Sequence, residues 1–271
     1  MATRGEYGTP VNAEGVLKLS HDGEIEAEFF RGALAGRRRV LDLGCGPGFP
    51  LVVLSGHVGG IWGVDASPAM LNHARRAVSA LGISDVECME CLAQALPFRD
   101  GFFDGASVCG TLGSVSDPYP VVSELARVCS PGSVVASLEQ DFRWRLGDDK
   151  PREEQRIRLE EDGNIRVQAV SYLTEPYRIR TEYAVIDRES DTGRQLLASG
   201  ESSGEVNVSG RLELAEIPDS AVLDAFCEEE RQYDPESLQT LFDSVGFDLA
   251  CQEVALSYGA PHIFSRFARG S

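Results

Sequence analysis

The sequence predicts an α/β protein: a doubly wound, mostly parallel sheet with an antiparallel β insert late in the chain. Three observations carry that prediction. Residues 37–142 alternate short apolar runs, glycine-rich turns and amphipathic stretches, the pattern of strands and helices wound around a parallel sheet. Residues 143–233 switch to period-two alternation, clearest at Tyr177, Ile179, Thr181, Tyr183 and Val185. The remainder returns to a helix followed by two strands.

Taken in order, strands are expected at Arg39–Leu43, Ile61–Val64, Val86–Met89, Phe103–Val108 and Ser133–Leu138. Most are continuous aliphatic runs, as strands covered by helices on both faces require. Pro68–Leu81 reads as a helix with Met70, Leu71, Ala74, Ala77, Val78 and Leu81 on one side and Ser67 as its N-cap. Pro118–Cys129 reads similarly. In the insert, turns are expected at Asp162-Gly163-Asn164 and Asp191-Thr192-Gly193. After it, Pro235–Val245 reads as a helix ended by Gly246, and Phe247–Ser257 and His262–Ala268 as strands joined at Gly259-Ala260-Pro261.

Composition narrows the function. The 271 residues are 42% apolar and 25% charged, so a folded core is expected. Twenty-five Lys and Arg against 43 Asp and Glu leave a formal charge of −18, which repels phosphate backbones and anionic lipid surfaces. Neither nucleic acid nor membrane is therefore an expected partner. The arginines at 37–39 form the one basic cluster and read as solvation of the first strand. No apolar run approaches the ~20 residues of a membrane span, and the first residues lack the apolar core of a secretory signal, so a cytoplasmic location is expected. Seven irregularly spaced cysteines suit free thiols in a reducing compartment. Cys88-x-x-Cys91 lacks two further ligands at zinc spacing, and no metal site is expected.

The most informative segment is Val40–Phe49, VLDLGCGPGF, where an apolar strand runs into Gly44, Gly46 and Gly48 and then into a helix. Glycines there let a ligand approach the backbone, and the helix start offers unpaired N–H groups to a carboxylate or phosphate. The third glycine of a dinucleotide fingerprint would fall on Phe49, so the loop suits an amino-acid ligand better than a pyrophosphate. Asp65 ends the next strand, where a carboxylate can accept from a ribose diol.

These residues resemble a known family. LDLGCGPG, VDASPAML, ALPFRDGFFD, Ser130-Pro131-Gly132 and Ser244-Val245-Gly246-Phe247 occur in the order and spacing of class I S-adenosylmethionine-dependent methyltransferases. The resemblance implies a Rossmann-like seven-stranded sheet closed by the C-terminal hairpin. It implies three parts: an N-terminal cap segment at 1–36, a cofactor-binding domain at 37–142 and 234–271, and a β-rich lid at 143–233. Asp42 with the backbone of Gly44, Cys45 and Gly46 would hold the methionyl amine and carboxylate, and Asp65 the ribose. Ala66 and Met70 would cover the adenine, and Leu92, Ala93 and Gln94 would meet its edge. Many relatives place an Asp where Leu92 stands. Cys109, Gly110 and Thr111 would form the loop beneath the sulfonium, and Val115 or Ser116 stands where several relatives carry a His.

The implied activity moves a methyl from S-adenosylmethionine to a nitrogen or oxygen of a small-molecule acceptor by in-line displacement, releasing S-adenosylhomocysteine. The alternatives are a cofactor-binding protein that does not methylate, such as a cyclase, a lyase or a non-catalytic partner, and a protein methyltransferase. An acceptor that must lose a proton needs a base. Asp141 follows the fifth strand beside Glu139, and His21 and Tyr7 lie in the segment that folds over the cofactor in related enzymes; these three are the candidates. A salt bridge or turn competes with catalysis at Asp141, and surface placement at His21 and Tyr7. His57, His73 and His262 read as structural. The insert resembles the lids of glycine and sugar-amine N-methyltransferases in architecture, a group in which Arg231-x-Tyr233 recurs. Tyr172, Tyr177 and Tyr183 would pack the insert or line an acceptor pocket. Its edge strands would also allow a homodimer.

Overall fold

A computed structural model describes residues 23–143, 153–160, 162–174, 177–198, 201–202, 205–206, 214–257 and 260–270. Tyr7 and His21 lie outside the described residues. The chain divides into two compact units, the second formed by residues 145–231.

The first unit runs α1 (Glu24–Leu34), β1 (Val40–Leu43), α2 (Phe49–Leu54), β2 (Ile61–Asp65), α3 (Pro68–Ala80), β3 (Val86–Glu90), β4 (Phe103–Cys109), a 3-10 turn (Leu112–Ser114), α4 (Tyr119–Val128) and β5 (Cys129–Gln140). The second holds β6 (Glu153–Leu159), β7 (Ile165–Thr174), β8 (Tyr177–Ile186), α5 (Asp191–Ala198), β9 (Glu201–Ser202), β10 (Glu205–Val206) and β11 (Val222–Arg231). The chain then completes the first unit with α6 (Pro235–Asp243), β12 (Phe247–Ser257) and β13 (Ala260–Arg269).

The first sheet has seven strands in the order β12-β13-β5-β4-β1-β2-β3. β1 to β5 are mutually parallel, and β13 runs antiparallel to both β5 and β12. Alternation along β1 shows why both faces are covered. Val40 joins the core under α1, α2 and α3, whereas Leu41 and Leu43 join the one under α4 and α6. α1 falls within the stretch read above as a cap, yet it buries Ala27, Phe30 and Leu34 and is part of this core. α3 starts where the sequence placed it: the Ser67 hydroxyl accepts from the Met70 N–H, and Leu71, Ala74, Ala77 and Val78 are buried. α6 starts on a capping box between Asp234 and Ser237.

Three local readings are corrected. The arginine cluster does more than solvate: Asp104 accepts from the backbone N–H groups of Arg38 and Arg39, Arg37 donates to the carbonyls of Asp104 and Gly132, and the Arg39 guanidinium lies 4.7 Å from the Phe102 ring centroid. Ala260 and Pro261 belong to β13, not to a turn. Asp191-Thr192-Gly193 opens α5 instead of making a turn, because the Ser190 hydroxyl accepts from the Gly193 N–H. Glycine is required there by close approach, since a Cβ would lie 2.1 Å from the Asp187 carbonyl oxygen.

The second unit is a six-stranded sheet in the order β11-β8-β7-β6-β10-β9, with antiparallel pairing throughout. Its own core gathers Ile157, Ile165, Val167, Ile186, Leu196, Ile217 and Ala221. The Asp162-Gly163-Asn164 turn joins β6 to β7 as expected. Tyr183 pairs across the sheet with Gln168, whose amide donates to the tyrosine oxygen. Among the described residues, no helix is long and apolar enough to cross a membrane.

Arg127 braces the first unit. Its guanidinium forks onto Glu124 at 2.7 Å and reaches the carbonyls of Phe98 and Leu96 at 2.7 and 2.9 Å. Arg127→Met should therefore lower stability by about 1–2 kcal/mol, the lower range for charge-assisted bonds at a partly exposed site, read as a shift in urea midpoint.

Candidate functional site

The carboxyl ends of the parallel strands gather most of the residues singled out above, where ligands of open α/β sheets sit. Asp42 lies on β1, the middle of the five parallel strands, and is 1% exposed. Its register partner on β4 is Ser107, whose hydroxyl donates to Asp42 Oδ1 at 2.8 Å. Oδ2 is buried and has no partner among the described residues. Burial pushes the carboxyl up to about 7, against the lowering effect of the Ser107 bond and with a further rise from Asp65.

β1 leads into a loop with Gly44, Gly46 and Gly48 at φ of 67°, 51° and 102°. Two bonds fix it to β2: Cys45 N–H to the Val64 carbonyl at 2.9 Å, and Gly46 N–H to Asp65 Oδ2 at 2.9 Å. On its other side, Thr111 donates to the Leu43 carbonyl at 2.8 Å. Thr111 fits so closely that a Cβ on Gly44 would lie 2.3 Å from its Oγ1. A Cβ on Gly46 would meet nothing within 4 Å, so that stretch of backbone faces open space.

Asp65 accepts Ser67 N–H on Oδ1 at 2.8 Å besides Gly46 N–H on Oδ2. An ionised carboxylate has about four acceptor positions, which leaves room for two hydroxyl donors. Beyond it, Met70 is half-buried and Ala66 exposed. Cys91 N–H bonds the Asp65 carbonyl at 3.2 Å, bringing the following residues to the end of β2. There Leu92 is 54% exposed, with Ala93 half-buried and Gln94 exposed. Cys109 ends β4, and burial together with Asp42, Glu139 and Glu26 pushes its thiol up.

Asp141 stands apart. It is buried at the end of β5, and its carboxylate accepts from the Arg143 backbone N–H at 3.0 Å and from the guanidinium at 2.7 Å. The competing salt-bridge role is the one this geometry displays. Two contributors escaped the sequence reading, Ser107 and Glu26, and two residues named there, Glu139 and Tyr233, have contacts that it did not show. Only Ser107 left a local signal, as a hydroxyl within the apolar run of β4. Among the described residues, no group of three metal-ligating side chains is found.

The residues fit the amino-acid and ribose ends of S-adenosylmethionine. An ammonium would complete the unsatisfied oxygen of Asp42, which otherwise carries a desolvation penalty. The open space beside Gly46, whose N–H is already given to Asp65, would admit the amino-acid end of the cofactor, and the free positions of Asp65 would take the ribose hydroxyls.

Two expectations follow. Gly44→Ala should lower affinity for S-adenosylhomocysteine more than about tenfold and destabilise by about 1–2 kcal/mol, through positive φ and the collision with Thr111; calorimetry and urea unfolding check this. Asp42 and Glu139 are pushed up from 3.8 and 4.5 to about 7 and about 8, so the folded state binds more protons than the unfolded one in that window. Stability of the ligand-free protein should accordingly fall as pH rises from about 4 to about 8, and Asp42→Asn should flatten the part below about pH 7, measured by urea unfolding at stepped pH.

Comparison with known proteins agrees with this geometry. Residues 41–137 match the family model described as "Methyltransferase domain". A demethylmenaquinone methyltransferase of Bacillus cereus is 36% identical over 112 residues, covering 40% of this chain. The match spans 47% of that relative, so the chain spans about half the length of the curated relatives it matches. An S-adenosylmethionine-dependent methyltransferase from Clostridium acetobutylicum superposes with a TM-score of 0.60 at 14% identity, over 96% of this chain and 100% of the other. The [4+2]-cyclase SpnF superposes with a TM-score of 0.56 at 16% identity, over 91% and 80%. The glycine loop and the acids of β1 and β2 all lie within residues 41–137, the stretch that matches the methyltransferase domain.

Proposed function

We propose that the chain transfers a methyl group from S-adenosylmethionine to a nitrogen or oxygen of a small-molecule acceptor. The observation that carries the cofactor half is the unpartnered, buried Oδ2 of Asp42 beside a backbone open to ligand. When bound, S-adenosylmethionine supplies a methyl already activated on a sulfonium. What remains for the protein is alignment, which can contribute ~7–11 kcal/mol to lowering the barrier. Asp42 and Asp65 orient the two ends of the cofactor, and Thr111 fixes the loop between them.

The acceptor half rests on two supports. A charge of −18 disfavours polyanionic substrates, and the Bacillus cereus relative is named for a small-molecule substrate. The base is assigned to none of the described side chains: Asp141 is engaged with Arg143, and His21 and Tyr7 remain candidates. A second reading, capture of the cofactor without methyl transfer, is favoured by one finding, that a cyclase shares the fold.

Parallel titration with S-adenosylmethionine, S-adenosylhomocysteine and NAD tests the first half. The first two should bind in the micromolar range without NAD, and Asp65→Ala should weaken them by about tenfold or more through loss of two charge-assisted bonds. Binding of NAD alone would refute the cofactor. With amines, phenols and protein substrates offered in turn, S-adenosylhomocysteine formed in step with a methylated small molecule supports the proposal. Cofactor left intact during turnover establishes the second reading, and methylated protein a third.

A further inference from the structure

Glu139 takes no part in the contacts assigned to the cofactor, yet it is a carboxyl group 4% exposed at the carboxyl end of β5. It accepts the Leu112 N–H at 3.2 Å on Oε1, and the neighbouring N–H groups of Thr111 and Gly113 act on the same carboxyl. The turn it holds is gripped from two other directions. Thr111 Oγ1 donates to the Leu43 carbonyl at 2.8 Å, and the Tyr233 hydroxyl donates to the Leu112 carbonyl at 3.3 Å. Thr111 in turn fills the space against Gly44.

We infer that Glu139 is a positioning residue for the amino-acid end of the cofactor, a step that rests on the cofactor reading above. Its carboxyl group gathers three successive N–H donors that would otherwise point into a water-poor site without an acceptor. Gathering them fixes the turn, the turn fixes Thr111, and Thr111 sets the position of the Leu43–Gly44 backbone that opens the glycine loop. The ribose side shares a single hydrogen bond with this chain of contacts: Asp65 Oδ1 is anchored on Ser67 N–H, while Oδ2 accepts Gly46 N–H from the loop.

The test compares two ligands that differ at one end. S-adenosylhomocysteine reaches the glycine loop, whereas adenosine carries only the ribose and base. In calorimetric titrations of the full chain, Glu139→Met, close in length but without an acceptor, should lower S-adenosylhomocysteine affinity about tenfold or more and leave adenosine within about twofold. Glu139→Gln keeps one acceptor oxygen and should recover most of the loss. Thr111→Val should reproduce the selective loss, and it carries the test if thermal unfolding shows Glu139→Met to be unfolded. Acting through one turn, the two changes should not multiply: the double variant should fall within about twofold of the weaker single. Equal losses for both ligands, no loss for either, or multiplying losses would overturn the inference. Failure of the unaltered chain to bind S-adenosylhomocysteine would overturn the cofactor reading beneath it.

Discussion

A carboxylate buried near the end of β1, satisfied on one oxygen and bare on the other among the described residues, is the constraint around which the first unit is arranged. Asp42 can sit there because β1 is flanked in register by β2 and β4, which supply Ser107 for one oxygen and shield both from water. Left alone, such a group is a liability, since a buried charge with too few partners opposes folding. The cores on both faces of the sheet offset it, with Phe30 and Phe264 fully or nearly buried on one side and Phe103, Phe242 and Phe267 on the other. The site is thus a local deficit supported by a surplus elsewhere, which is the usual relation between stability and function in a folded enzyme.

How much of this was legible beforehand depends on the range of the interactions. The strands, the Ser67 cap and the glycine loop are written in periods of two to four residues, and the sequence shows them directly. Asp65 was legible for the same reason, standing at the end of a recognisable strand. α5 was not, because the meaning of Gly193 depends on a carbonyl at Asp187 that the glycine must pass closely, and a turn motif looks the same on paper. The place of Glu139 at the end of the fifth strand was legible, but its role was not. Its partners are backbone N–H groups, which belong to no residue type and leave no mark in a sequence. Asp141 is the instructive case between these. Arg143 stands two residues along, so the ion pair is local, but only the geometry decides that the pair forms.

The acids of the site divide by what satisfies them. Asp65 and Glu139 are held by backbone donors, Asp141 by an arginine, and Glu26 by the hydroxyl of Ser257. Asp42 alone keeps a buried oxygen without a partner among the described acids. That contrast separates the groups whose oxygens are satisfied within the fold from the one whose oxygen is not, and it does so by hydrogen-bond accounting, without appeal to which residues are acidic.

The chain leaves the first unit after β5 and rejoins it before α6 at one place: Phe142 N–H bonds the Tyr233 carbonyl at 2.9 Å, and Asp141 bridges to Tyr233 in parallel. Exit and entry are therefore neighbouring strands of the same seam. A module attached in this way can be lengthened, replaced or lost over evolutionary time without moving an atom of the cofactor machinery, because the ends it must join are already side by side. The architecture lets the second unit diverge while the seven-stranded sheet that carries the glycine loop is conserved.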